Sequence, residues 1–282
     1  MYFGIIGLLL ALALLAAGWG TGVIPRPQNM GKNKLDISRP EGMVNTLVLG
    51  FDQGQERSDI MMVASYNPQG KSLNLLSIPR DTMVVEAGKR RRINEIVLRS
   101  GMAQAIRRVE DITGLPIDYY ISLDFAGFRK VVDLLGGVMI DVPADMDYED
   151  REQGLYIHLR KGSQLLDGKK AEEYIRYRKY QWGDLDRIRV EQEFVRELIR
   201  QKFNVIYISK APQLYMILEN HVDTNIPLQD MGKYLSALVS QEPRVNTYTL
   251  PGDAADIEGV SYYIYNKGET RALIKESFIG GS

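Results

Sequence analysis

The chain has 282 residues, 45% of them hydrophobic and 25% charged, a balance that supports a sizeable folded core and argues against a disordered chain. A formal net charge of -1 argues against nucleic-acid binding by bulk electrostatics. The absence of cysteine excludes a disulfide framework, a thiol nucleophile and a Cys-based zinc site, and the only histidines, His158 and His221, disfavour His-centred catalysis.

From Met1 to Ile24 there is no Asp, Glu, Lys or Arg; the first charge is Arg26. That run is long enough to cross a hydrocarbon core of about 30 Å as a helix. It exceeds the apolar core of a cleaved signal peptide and lacks a basic start, so it reads as an uncleaved transmembrane anchor over residues 1–24. Small residues at Ala16, Ala17, Gly18 and Gly20 leave cleavage open. Arg26, Lys32, Lys34 and Arg39 follow the span, and by the positive-inside rule they would lie in the cytoplasm. Residues 25–43 are polar, with Pro and Gly punctuation, and read as a linker. Residues 44–282 show no sharp boundary and read as one domain.

Within it, Val44–Gly50, Asp59–Tyr66 and Leu73–Ile78 are strand candidates, mostly apolar and so buried on both faces. The last two are joined by Asn67-Pro68-Gln69-Gly70 and should form a hairpin. Residues 93–113 carry helical spacing (Ile96, Val97, Met102, Ile106, Val109), stopped by Gly114 and Pro116. A strand over Ile117–Leu123 follows, then a helix Phe125–Leu135 that Asp124 can cap, then a strand Val138–Val142. The acidic residues 143–154 read as a solvated loop. Next come a strand Leu155–Leu159, a turn at Gln164–Gly168 and a helix from Lys169 to Arg178. A longer helix opens near Asp184 and runs to about Phe203. Pro212–Leu218 and Leu228–Val239 read as helices, Val245–Leu250 and Tyr262–Tyr265 as strands, and Lys267–Phe278 as a closing helix. The expected fold class is α/β (α+β), a mixed central β-sheet flanked by helices in an αβα sandwich, behind the transmembrane helix.

Several charged residues fall at strand ends, where ligand sites of α/β sheets are built. Asp52 and Asp59 flank a short Gly-containing loop; such oxygen ligands suit Mg²⁺ or Mn²⁺, although two Asp residues seven apart read, on their own, first as turn formers. Arginines recur at Arg80, Arg90-Arg91-Arg92, Arg176, Arg178, Arg187 and Arg189. Arginine is suited to bidentate phosphate recognition; the same residues are also compatible with a solvated basic face paired with Glu172, Glu173 and Glu191. Arg176 and Arg178 converge only if their helix ends there. Neither histidine is close in sequence to these motifs, so a general base would be Asp59, Asp52, Asp81 or a metal-bound oxygen, and a Ser-His-Asp hydrolase is disfavoured. Cation plus arginine clamp is the pattern of phosphoryl transfer.

Asn45-Thr-Leu-Val-Leu-Gly-Phe-Asp52, Arg57-Ser-Asp59, Leu76-Ser-Ile-Pro-Arg-Asp-Thr82, Arg92-Ile-Asn94, Asp118-Tyr-Tyr120, Leu135-Gly-Gly-Val138, Leu166-Asp-Gly168, Tyr174-Ile-Arg-Tyr-Arg178 and Asp184-Leu-Asp-Arg187 together resemble the LytR-CpsA-Psr family over roughly residues 44–204. The resemblance implies a phosphotransferase of bacterial cell-wall assembly, a single-pass protein of the cell membrane with an extracytoplasmic catalytic domain. It would attach a polyprenyl-pyrophosphate-linked glycopolymer (teichoic acid, capsular or other wall glycan) to peptidoglycan through a phosphodiester. That topology is preferred to the charge rule because the substrates lie outside. The family pattern makes Asp52 and Asp59 the Mg²⁺-associated carboxylates and Arg80, Arg92, Arg176, Arg178 and Arg187 the pyrophosphate-binding arginines, with Asp59, Arg80 and Arg187 closest to catalysis. Two departures stand out: Val190-Glu191 where the family reads Arg-Gln, and Arg99-Ser100-Gly101 where it reads an aromatic and two glycines. They leave open a polyprenyl-phosphate-binding scaffold of little transferase activity; pyrophosphate hydrolysis is the third reading.

Overall fold

The computed structural model describes residues 40, 42–51, 58–151, 155–177, 184–202, 210–226 and 243–279. The expected anchor over residues 1–24, most of the expected linker and the expected helix 228–239 lie outside the described residues. Among the described residues no helix is long and apolar enough to cross a membrane.

The core is a six-stranded sheet in the spatial order β11-β6-β1-β2-β3-β12, built from β1 (Val44–Phe51), β2 (Ser58–Asn67), β3 (Ser72–Ser77), β6 (Tyr119–Asp124), β11 (Val222–Thr224) and β12 (Arg244–Thr249). It is mixed: β1 runs parallel to β6 and β3 parallel to β12, whereas β1 with β2, β2 with β3 and β6 with β11 are antiparallel. The β2–β3 hairpin forms as the Asn-Pro-Gln-Gly turn predicts, with Asn67 Oδ1 accepting the Gly70 N–H at 3.0 Å. β1 is buried along nearly its whole length, as an unalternating apolar strand between two layers should be.

Two apolar clusters cover the two faces. One packs Val48, Met62 and Ile121 beneath Phe128, Tyr174 and Phe194; the other packs Leu47, Leu49 and Val63 beneath Ile96, Ile106, Val109 and Phe278. The first set of helices is α3 (Phe125–Leu134), α4 (Gly168–Arg176) and α5 (Asp184–Lys202); the second is α1 (Ile96–Ser100), α2 (Met102–Thr113) and the carboxy-terminal α7 (Lys267–Leu273) with its π-helical end Ile274–Ile279. The helix–sheet–helix sandwich is therefore the predicted one. Helix α6 (Ala211–His221) leads directly into β11.

Some local readings change. The single helix over 93–113 is a 3₁₀ turn at Ile93–Glu95 followed by α1 and α2, split at Gly101, whose φ of 81° only glycine adopts easily. The acidic stretch is not a loop throughout: β8 (Met146–Asp150) pairs with β9 (Leu155–Leu159), Asp147 and Glu149 alternating outward while Met146 is buried. Likewise β10 (Gly162–Leu166) replaces much of the expected turn and pairs with β7 (Val138–Val142). Two hairpins had no sequence expectation, β4 (Met83–Glu86) with β5 (Lys89–Arg92), and β13 (Gly252–Ile257) with β14 (Val260–Tyr265), although the second half of the latter was anticipated.

Candidate active site

The site residues gather at one edge of the sheet because of strand direction. β1 and β6 end there side by side, Phe51 opposite Asp124; β2 begins there, Phe51 opposite Ser58; β3 leaves there at Ser77, whose carbonyl accepts the Leu250 N–H just past the end of β12. The antiparallel register slips between Gly50 and Phe51: Gly50 faces Ile60 and Phe51 faces Ser58, which makes Asp59 the extra residue of a bulge. Bulges re-aim side chains beside functional sites. Ser58 Oγ spans the bulge by donating to the Ile60 carbonyl at 2.6 Å. The side chain of Asp59 and the whole of Asp52 lie outside the described residues.

Arg80 follows β3 on a tightly bonded loop. Ile78 N donates to Met61 O, Thr82 N and Oγ1 both donate to Pro79 O (2.9 and 2.6 Å), Asn94 N donates to Arg80 O, and Tyr263 N donates to Asp81 O. The two oxygens of Asp81 face Arg80 Nε at 3.8 Å and Arg92 Nε at 3.3 Å, so Arg80 and Arg92 are brought together around one carboxylate. Arg92 also donates to the Ser261 carbonyl through Nε and Nη2. Tyr263 pins the adjoining hairpin through its hydroxyl, which donates to Leu250 O at 2.6 Å; burial first, then the charges of Asp253 and Glu269, push this phenol up to about 12, so it stays a neutral donor.

Arg176 arrives from the other side. Gly168 N, at the start of α4, donates to Asp133 Oδ1 near the end of α3, while Arg176 at the end of α4 lies over the ring of Phe125, the first residue of α3. The two helices are thus antiparallel, and α4 runs towards the sheet edge. Gly168 permits the contact: a Cβ there would stand 2.3 Å from the Arg129 carbonyl oxygen. Arg176 Nη1 donates to Glu172 Oε1 at 2.8 Å, and Arg129 Nη1 donates to Glu172 Oε2. The helix ends at Arg176 and Tyr177 is extended (ψ 133°), the geometry on which convergence with Arg178 depends. Arg178 itself, and the side chain of Arg187, lie outside the described residues.

Arg187 is on α5, five positions before Gln192, which donates to Ser77 Oγ (3.1 Å) and Tyr248 O (3.2 Å) at the sheet edge. At 1.5 Å per residue the Arg187 backbone stands about 7.5 Å further along the helix. The opposite end of α5 contacts Met139 through Gln201, towards the far end of the sheet, so Arg187 lies beyond the edge where β1 and β3 end. Val190 and Glu191, the departures from the family pattern, are 8% and 3% exposed, and Val190 belongs to the apolar cluster.

Sequence reasoning missed Arg129, Gln192 and His221 as contributors, and it read Asp81 as a candidate base and Glu172 as a surface partner. Asp81 and Glu172 are the carboxylates that hold the arginines, Arg129 shares Glu172, and Gln192 fixes α5 to the sheet. His221 also reaches this edge despite its distance in sequence: its Nδ1 lies 3.1 Å from each oxygen of Asp124, which caps α3 by accepting the Gly127 N–H. The signals available were the i,i+4 spacing of Glu172 and Arg176 and the capping position of Asp124.

A mixed sheet between helical layers makes this an α/β protein, with Arg80, Arg92, Arg176 and the carboxylates of Asp81 and Asp124 collected at the strand ends where such folds build ligand sites. The profile of the LytR_cpsA_psr family matches residues 25–278, and the chain belongs to that family. It is 29% identical over 264 residues to the polyisoprenyl-teichoic acid–peptidoglycan teichoic acid transferase TagU of Bacillus licheniformis, covering 89% of this chain and 84% of that protein. It is 32% identical over 209 residues to the Bacillus subtilis transferase TagV, covering 71% of this chain and 53% of that one. The crystal structure of B. subtilis TagV superposes with a TM-score of 0.70 at 26% identity, over 85% of this chain and 98% of the other. The structure of TagT bound to LIIa-WTA superposes with a TM-score of 0.69 at 25% identity, over 83% of this chain and 89% of the other. The expectation of a transferase agrees with the names of these relatives.

Proposed function

We propose that this chain transfers a wall glycopolymer from a polyprenyl-pyrophosphate carrier to peptidoglycan, at the cell membrane and outside it, with residues 1–24 as anchor and 44–282 as the catalytic domain. The observation that carries the reading is the convergence of Arg80, Arg92, Arg176 and the backbones of Asp59 and Arg187 at one sheet edge. The names of TagU and TagV support teichoic acid as the glycopolymer.

Arg80, Arg176, Arg178 and Arg187 hold the pyrophosphate and draw electron density from the phosphorus that carries the glycan. Asp59 or Asp52 takes the proton of a peptidoglycan sugar hydroxyl. The hydroxyl oxygen bonds to that phosphorus, the bond to the bridging oxygen breaks, and polyprenyl phosphate departs. The hard oxygen donors of Asp52, which follows β1 in sequence, and Asp59, whose backbone forms the bulge, suit Mg²⁺, with Mn²⁺ as its substitute. When bound, that ion would offset the negative charge of the pyrophosphate.

The test incubates the full chain in detergent with lipid-linked glycan, peptidoglycan oligomer and Mg²⁺. Linked product is expected, falling at least about 100-fold in Arg80→Ala, the scale of removing one transition-state donor. Binding without product, unchanged in Arg80→Ala, would leave the scaffold reading; free phosphorylated glycan without linkage would make the site a hydrolase.

A further inference from the structure

Glu172 is 7% exposed and lies between two guanidiniums, accepting from Arg176 on one oxygen and from Arg129 on the other. Arg176 is 5% exposed, with its guanidinium carbon over the Phe125 ring, 4.9 Å from the centroid. Arg129, on α3 one turn after Phe125, is the hydrated end of the row, its side chain 32% exposed. Two cations and one anion leave the triad with a net charge of +1. Without Arg129 the row would reduce to a neutral Arg176–Glu172 pair, and a neutral pair exerts little pull on an anion beyond contact range.

We infer that Arg129 and Glu172 set the charge that Arg176 presents to a diphosphate: Glu172 orients the guanidinium, and Arg129 cancels the carboxylate so that Arg176 keeps its charge for the ligand. This rests on the proposed function, in which Arg176 faces the pyrophosphate. Arg129 is a positioning residue, with no need to touch the ligand. The arrangement explains how a helix can place a carboxylate one turn before a phosphate-binding arginine without disabling it.

The test is a charge-reversion cycle read by calorimetric binding of inorganic pyrophosphate to the full chain in detergent, with folding followed by circular dichroism. Arg129→Met is expected to weaken binding about tenfold, the scale of a loss of roughly 1.4 kcal/mol. Arg129→Lys, which keeps the charge, should stay within about threefold of wild type. Arg129→Met combined with Glu172→Gln restores the net charge of +1 and should recover most of the loss. A purely structural role would make the double variant worse than either single one. Arg129→Gln substitutes if the Met variant does not fold. Unchanged binding in Arg129→Met, or a double variant no better than that single one, overturns the inference. Arg176→Gln and Arg80→Gln separate the two claims: binding lost only in Arg80→Gln removes Arg176 from the site and this inference with it, whereas binding retained in both removes the pyrophosphate reading itself.

Discussion

Arg80 and Arg176 reach the same sheet edge by opposite means. Arg80 sits on a loop whose own main chain is tied down: Ile78 to Met61, Thr82 to Pro79, Asn94 to Arg80 and Tyr263 to Asp81. Arg176 ends a helix, and side-chain charge and an aromatic face hold its guanidinium. Neutral main-chain hydrogen bonds contribute about 1 kcal/mol each and vary little with pH or salt. A buried ion triad costs desolvation and is strongly destabilised when one member is removed. The first design fixes a position; the second leaves a charge that neighbouring residues can adjust.

The largest expected effect breaks the second design. Glu172→Leu leaves Arg176 and Arg129 without their shared carboxylate in a site where Arg176 is 5% exposed. The expected loss is about 3 kcal/mol, the range for breaking a buried ion pair. Urea denaturation measures it, and a loss under about 1 kcal/mol would mean that the triad is not the anchor described.

A smaller effect is expected from the first. Thr82 is fully buried and its Oγ1 donates to Pro79 O at 2.6 Å. Thr82→Val keeps the volume and removes that bond, while the Thr82 N–H still holds the same carbonyl. The cost should be about 1 kcal/mol in the same measurement. Because the carbonyl stays bonded, pyrophosphate affinity should change less than in Arg129→Met; the reverse order would show that the loop, too, depends on side chains.

The two regions also differ in how far the sequence exposes them. The sandwich follows from periodicity: unalternating apolar runs became central strands, and the Asn-Pro-Gln-Gly turn paired β2 with β3. The strand-end positions of Arg80 and Asp81 were legible for the same reason. The β4–β5 hairpin was not, because Lys89–Arg92 carries no apolar alternation and the hairpin is held by Arg92 on Asp81 and Ser261, contacts between residues far apart in the chain. The strand at Met146–Asp150 was hidden by its acids: Asp147 and Glu149 face solvent while Met146 is buried and Tyr148 packs against the core. Glu172 was visible at i,i+4 from Arg176 as a surface pair, but Arg129, which makes it a buried triad, lies 43 residues earlier. His221 reaches Asp124 across 97 residues. Local chemistry writes the strands and caps; the charge partners arise from the way helices pack.

Glu110 tests the comparison from the remaining side, since it is a half-buried carboxylate with no directly bonded cation among the described residues. It accepts the Ile117 N–H at 2.9 Å from its place on α2. Burial, its largest influence, raises its pKa above the ordinary 4.5; the Ile117 bond opposes that, the charges of Asp111 and Asp118 add to it, and Arg107 offsets part. A raised folded-state value means the native state binds this proton more tightly than the unfolded chain. The carboxyl's contribution to stability is therefore complete below pH 4.5 and is lost as pH rises through the raised value. Glu110→Gln cannot ionise and keeps an oxygen for Ile117. The variant and the wild type should melt together below about pH 4, and the variant should melt higher at pH 7, by an amount on the order of 1 °C because the site is half open to solvent. Thermal melts across pH 3.5–7.5 give the answer. A wild type that is the more stable at pH 7 would show that the Ile117 bond outweighs burial, and that a carboxylate in this fold tolerates partial burial without the paired guanidiniums that Glu172 has.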